Sequence, residues 1–440
     1  MTPAPHQPKD SLSLSSPRGA LTLILSMLVL FFHLIDRQIM AILAEPIKAD
    51  LGFSDTQIGL LTGLGFSLLY SVLGIPLARL ADRFDRAKIL AAATAVWSGM
   101  TVVTGFTGGF AAMLLARMGV AAGEAGGIPP LHSLLADLFP ARDRARAFSI
   151  MQLGGPFGVL VAFLGGGYLV SAFDWRMVFF AAGALGLLLV PLLWFLMPEP
   201  RREKTSLVHS GPGFWSATKT LLEQRAFVYL VIGIAFAGMG LYASIVWAPS
   251  YLIRSFSLPI ERVGLVLGIS FGVLGAVAVL AAGHTSDWAQ RFDRGAHALM
   301  PAIMLGIAAP LCIAGFLAPG LPTAMAFLLI PIMMMSGWQA PALAAVQDVA
   351  TSETRALAAA LAMFVLNLIG LGLGPLLVGV LSDAMTEQYG SHALRYALLI
   401  VPAAFAAASL FWALAARELR AAPKPLRPKL DPLEPMDAET

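Results

Sequence analysis

Charge is scarce in this chain. Lys, Arg, Asp and Glu make up 12% of its 440 residues, apolar residues make up 58%, and mean hydropathy is +0.78. A soluble domain of this size needs far more charge to cover its surface, so lipid is the natural solvent. Cysteine is nearly absent: a single Cys312, inside an apolar run, excludes an intrachain disulfide. No His/Cys/Asp/Glu cluster has metal-ligand spacing and no Gly-x-Ser-x-Gly elbow occurs, so no metal, cofactor or enzyme activity is implied. Basic residues do not gather on one soluble face, which argues against a nucleic-acid partner. Met1 to Pro17 is polar and Pro/Ser-rich, without the positive start, short apolar run and cleavage site of a secretory signal. The alternating ten-residue pattern of a membrane barrel is also missing, which leaves helices as the way across a bilayer.

Long apolar runs are what the chain has instead. A crossing helix needs roughly 20 apolar residues, and such runs recur at 20–44, 56–80, 88–107, 110–136, 145–172, 176–197, 226–252, 260–285, 297–318, 321–347, 356–382 and 393–416. Twelve transmembrane helices are predicted, an all-α membrane protein. With the N-terminus placed inside, the loops and tails on that side carry 22 Lys and Arg, against five on the other: Lys48, Arg176, Arg254, Arg262 and Arg395. The skew predicts that both ends are cytoplasmic, in the cell's inner (plasma) membrane. The longest polar break divides the chain. The expected layout is a disordered tail at 1–18, a six-helix bundle at 19–197, a linker at 198–225, a second bundle at 226–416 and a disordered tail at 417–440. Phe214 to Arg225 in the linker is amphipathic and reads as a short interfacial helix.

The two halves repeat each other. The turn after helix four reads Pro130-LHSLLA-Asp137-LFPARD-Arg144, and the turn after helix ten reads Pro341-ALAAVQ-Asp348-VATSET-Arg355, at one offset of 211 residues. Asp82-RFD-Arg86 after helix two matches Asp287-WAQ-Arg291 after helix eight at an offset of 205. A duplicated six-helix unit accounts for both.

With Ala78-RLA-Asp82-Arg83-Phe84-Asp85-Arg86-Ala87-Lys88, the chain resembles the major facilitator superfamily, whose signature loop after helix two is broadly Gly-x-x-x-Asp-Arg-x-Gly-x-Arg/Lys-Arg/Lys. Ala78 and Asp85 stand where the pattern has Gly. His33-LIDR in helix one, Arg117-MGVAAGEAGG in helix four and Pro130 to Asp137-LF resemble the spinster branch. The resemblance implies two pseudo-symmetric six-helix bundles and a cytoplasmic latch at Asp82, Arg83 and Arg86. In that latch Asp82 would face the start of helix eleven near Glu353 to Ala356, where free N–H groups carry partial positive charge.

Ionisable residues at membrane depth are costly and need partners. Helix one carries Asp36 and Arg37 with His33 a turn earlier, and helix four carries Arg117 and Glu124. At about 1.5 Å per residue, Asp36 lies roughly 12 Å and Arg117 roughly 10 Å below their outer helix ends, so the two are level. Glu124, two turns beyond Arg117, shares nearly its face and sits roughly 10 Å deeper. A carboxylate beside a guanidinium stays ionised, and one moved into apolar surroundings takes a proton. Asp36, Glu124 and Arg117 are therefore the expected proton-coupling set. Arg37 and His33 are secondary candidates, with Arg37 reaching a polar cavity or Glu45. A static ion pair that only fixes helix packing is the competing account. Candidates for the substrate cavity are Tyr70, Gln152, Tyr242, Trp247, Trp338, Gln339 and Asn367. Gly126-Gly127 before Pro129-Pro130, Gly154-Gly155-Pro156, and Gly370 to Pro375 loosen helices four, five and eleven. The charges at membrane depth point to proton-coupled, alternating-access transport, by a monomer, and resemblance to spinster proteins implies an amphipathic lipid cargo such as a lysophospholipid or sphingolipid phosphate. A proton-driven exporter of drugs or small organic anions would carry much the same sequence.

Overall fold

The computed structural model describes residues 12–200, 213–351 and 353–421, apart from the side chains at 75, 78 and 82. Residues 1–11 and 422–440 of the expected tails, and 201–212 of the linker expected at 198–225, lie outside the described residues; the helices at the two ends reach into the expected tails, starting at Pro17 and ending at Ala421. All regular structure among the described residues is helical. The described residues make twelve rods. Helix one is Pro17–Ile42, followed by the short Ala44–Leu51. Helix two is Asp55–Thr62 and Leu64–Arg83, three is Arg86–Gly105, and four is Phe110–Ala125 and Ile128–Leu138. Five is Ala141–Gln152 and Gly154–Ala172, and six is Trp175–Leu196. A separate helix, Phe214–Leu222, precedes helix seven, Arg225–Phe256. Eight runs Ile260–Gln290 through a π turn at Gly268–Leu274, nine is Ala296–Phe316, and ten is Leu321–Gly337 and Gln339–Val349. Eleven is Arg355–Val365, a π turn at Leu366–Leu371 and Gly372–Tyr389; twelve is Ala393–Ala397 and Ile400–Ala421.

Local chemistry sets several of these boundaries. Ser16 caps helix one, accepting from Gly19 N–H at 3.0 Å, with Pro17 next. Ser54 and Gln57 form a reciprocal capping box at the start of helix two. Helix four breaks at Gly126–Gly127 and helix five at Leu153, beside the glycine and proline clusters flagged in the sequence. In helix eleven the disturbance is a π turn just ahead of Gly372 to Pro375.

Helix alternation puts both described chain ends on one face, here the terminal face, and the loop after helix one on the opposite, far face. The two six-helix halves meet through helix two against eleven and five against eight. Those contacts are tight because glycines let backbones touch. A Cβ on Gly379 would sit 2.3 Å from the Asp55 carbonyl oxygen, and one on Gly264 would sit 2.3 Å from that of Phe163. Both lie toward the far face, which is closed. Toward the terminal face the halves part: among the described residues, Leu64–Arg83 packs on the π turn and on Gly372–Tyr389 of helix eleven, with no comparable packing on Arg355–Val365.

Candidate functional site

The intramembrane charges converge between helices one, three and four. Asp36 is 4% exposed, Arg117 2% and Glu124 0%. Helices one and four run in opposite directions, so residues stepping back along one meet residues stepping forward along the other. Asp36 Oδ1 accordingly faces Arg117 NH1 at 3.8 Å. His33, a turn earlier, brings Nδ1 to 3.3 Å from Glu124 Oε2. Arg37 reaches down the helix and places Nε 3.1 Å from the same oxygen. The three residues of the expected coupling set and the two secondary candidates are thus in one cluster, joined by three acid–base contacts. Arg37 pairs with Glu124 and not with Glu45, because Glu45 is taken by Arg254 at 2.6 Å.

Residues outside the expected set complete the cluster. Thr101 Oγ1 of helix three lies 2.6 and 2.7 Å from the two Asp36 oxygens. The Phe66 ring lies close to both guanidinium carbons, 5.3 Å from Arg37 and 5.5 Å from Arg117. Tyr70 lies under Arg37 at 4.7 Å and stacks on Phe66. Tyr242, from helix seven, stands beside Arg37 as well and brings the second half to the site. Arg37 NH2, Arg117 Nε and Glu124 Oε1 are buried without a hydrogen-bond partner among the described residues.

The remaining cavity candidates are dispersed. Gln152 is exposed at the break in helix five, and Gln339 is half-buried after the break in helix ten. Asn367 donates to the Met363 carbonyl of its own helix at 2.9 Å. Two tryptophans expected in the cavity belong to the packed interior of the second half. Trp247 is fully buried and donates to the Pro375 carbonyl at 2.9 Å, and Trp338 packs on Trp412 with ring centres 5.2 Å apart. A large aromatic near mid-membrane fills helix–helix gaps as readily as it lines a cavity.

Of the three residues assigned to the latch, Arg83 is exposed and the Asp82 side chain lies outside the described residues. Arg86 is 1% exposed, and its partners are Asp137 at 2.5 Å and Ser133 at 2.8 Å in the first half and Glu199 at 2.9 Å just beyond helix six. Glu199 also accepts from the backbone N–H groups of Arg86 and Ala87, capping helix three. In the second half Asp348 is held by His297, Nδ1 at 2.7 Å, and by Gln290, Nε2 at 3.2 Å, with no contact from Arg291 among the described residues. Arg86 and His297 stand 211 positions apart, the same interval as Asp137 and Asp348. Matching Arg86 to Arg291 by its spacing from Asp therefore picked the wrong equivalent.

A second charge cluster closes the far face. Arg254 at the end of helix seven makes two hydrogen bonds to Asp55, both 2.7 Å, and two to Glu45, at 2.6 and 3.0 Å. Lys48 also contacts Asp55. Ser382 donates to Asp55 at 2.6 Å, and Asp383 accepts from the backbone N–H groups of Asp55 and Thr56. Arg254, Ser382 and Asp383 come from the second half, and their partners come from the first. Beside this cluster, Arg176 and Trp175 donate to Asp50 and hold its carboxyl below the usual range. On the terminal face, Arg420 does the same to Asp293.

Two halves of six helices, closed at one face and parted at the other around buried acid–base pairs, make a membrane transporter. The chain belongs to the Major Facilitator Superfamily, whose family profile matches residues 26–375. An efflux pump of this type from Mycolicibacterium smegmatis is 32% identical over 391 residues, covering 88% of this chain and 90% of that protein. Spinster homolog 1 of Xenopus tropicalis is 28% identical over 420 residues, covering 88% and 78%. A solved bacterial homolog of the human lysosomal transporter Spinster, inward-facing and unoccupied, superposes with a TM-score of 0.83 at 27% identity, covering 93% of this chain and all of that one. The spinster-like resemblance read from helices one and four is therefore met in both sequence and structure.

Proposed function

We propose that this protein is a proton-coupled, alternating-access transporter of an amphipathic, lipid-like substrate of the lysophospholipid or sphingolipid type. Asp36 and Glu124 bind the proton and Arg117 is the partner that alternates between them, with Arg37 and His33 assisting. The terminal face is cytoplasmic in the cell's inner membrane, and the working unit is a monomer. The observation that carries the reading is the interlock itself. Two buried acids share two guanidiniums and an imidazole, and several of their polar atoms are unpaired among the described residues. Groups buried so deeply need partners, and water or an anionic headgroup entering between the parted halves supplies them.

The test is lysolipid flux into proteoliposomes, with and without an imposed pH gradient. Asp36→Asn and Glu124→Gln should each lose gradient-driven accumulation. Normal proton dependence in both variants would remove the assignment. A second reading, export of drugs or small organic anions, is favoured by similarity to the mycobacterial efflux pump. The two part on thermal stabilisation: lysolipid raises the melting temperature in the first case, and small organic anions do so in the second.

A further inference from the structure

We infer that Thr101 is a positioning residue that reverses its hydrogen bond with the protonation of Asp36, donating to the carboxylate and accepting from the acid. The inference rests on the proposed proton role of Asp36. Thr101 Oγ1 lies within hydrogen-bond distance of three acceptors: Asp36 Oδ1 at 2.6 Å, Asp36 Oδ2 at 2.7 Å and the Trp97 carbonyl oxygen at 2.9 Å. A hydroxyl has one hydrogen to donate and two lone pairs to offer. Its one hydrogen cannot donate fully to Asp36 and to the Trp97 carbonyl at once, and a proton on Asp36 relieves that conflict by letting the hydroxyl accept from the acid while donating to Trp97.

Two arrangements satisfy the geometry. With Asp36 ionised, the hydroxyl donates to a carboxylate oxygen. With Asp36 protonated, its O–H donates to Thr101 Oγ1, and the threonine hydrogen turns to the Trp97 carbonyl one helical turn back. No covalent O–H bond of Thr101 is broken. The carried proton stays on Asp36, and the change is a rotation of the hydroxyl about Cβ–Oγ1. Asp36 therefore has a hydrogen-bond partner in either charge state, inside a site where both residues are almost fully buried. Arg117, at 3.8 Å, is beyond hydrogen-bond distance, which leaves Thr101 as the Asp36 hydrogen-bond partner among the described residues. The ionisable groups facing Asp36 are Arg117 and Glu124 from helix four and His33 and Arg37 from its own helix. Tyr70 of helix two and Tyr242 of helix seven gather at Arg37.

The experiment needs no cargo. The full-length protein in lipid is titrated with pH and followed by infrared difference spectroscopy of the carboxylic C=O stretch. A band that Asp36→Asn abolishes should move to higher frequency in Thr101→Val, where the acid has lost its acceptor, and should hold its place in Thr101→Ser. Thr101→Ala serves as a second probe should the valine variant fold poorly, and it should shift the band in the same direction. An Asp36 band unmoved in both Thr101→Val and Thr101→Ala overturns the switching hydroxyl and leaves the proton role of Asp36 standing. Absence of any Asp36-dependent band in the unaltered protein overturns both. A band that shifts equally in Thr101→Ser overturns the hydroxyl's role in favour of packing.

Discussion

Asp36 and Arg37 are neighbours in sequence, yet each answers to a different residue of helix four. The Arg37–Glu124 pair is the better formed, at 3.1 Å with the glutamate fully buried. Removing one partner of a buried pair leaves an uncompensated charge and costs about 3–5 kcal/mol, whereas removing both can be nearly neutral. We expect Arg37→Met to lower thermal stability in detergent markedly, and Arg37→Met with Glu124→Gln to recover most of the loss. A double variant no more stable than Arg37→Met alone would mean that Glu124 is already held by His33 or by water. Sequence arithmetic placed Asp36 level with Arg117 because helix rise is fixed. It missed Arg37–Glu124 because depth along an axis says nothing of how far a long side chain reaches. Thr101 and Phe66 were invisible for another reason. A threonine or phenylalanine in an apolar run looks like filler until the rotation of its helix is known.

Helices were the legible level. Each crossing needs its own apolar run, and the twelve runs correspond to the twelve rods, with breaks beside the glycine clusters of helices four and five. Which helices would touch was not legible, since lipid-facing and partner-facing residues are equally apolar. The Gly379 contact shows what decides it. Its missing Cβ would meet the Asp55 carbonyl at 2.3 Å, and the listener on that side is backbone, which cannot rotate away. Gly379→Val should therefore pry helices two and eleven apart at the far face and expose far-face cysteines introduced there to water-soluble thiol reagents. Gly74→Ala, where a Cβ meets nothing within 4 Å, is the matched control and should leave labelling unchanged. Equal labelling of the two variants would show that far-face closure does not depend on this approach.

For the molecule as a whole, the question is what balances one open face against the other. The Arg254 cluster ties the halves together at the far face through hydrogen bonds to charged groups, each bond contributing about 1.5–3 kcal/mol where well formed. Its side chain is 18% exposed, so salt screens it only in part. The proposed latch of Asp82 on the start of helix eleven would act at the opposite face, where helix two and Arg355–Val365 stand apart in this conformation. A two-state rocker then responds to the two sites with opposite signs. Arg254→Ala should move the population toward far-face-open by roughly tenfold for each 1.4 kcal/mol lost. Asp82→Asn should move it toward terminal-face-open. Because the sites lie at opposite ends of the molecule, the double variant should fall between the singles, near their sum. Spin-label distances across each face would read all three. A shift of the same sign in both singles would mean that these residues support the fold as a whole and do not hold opposite gates.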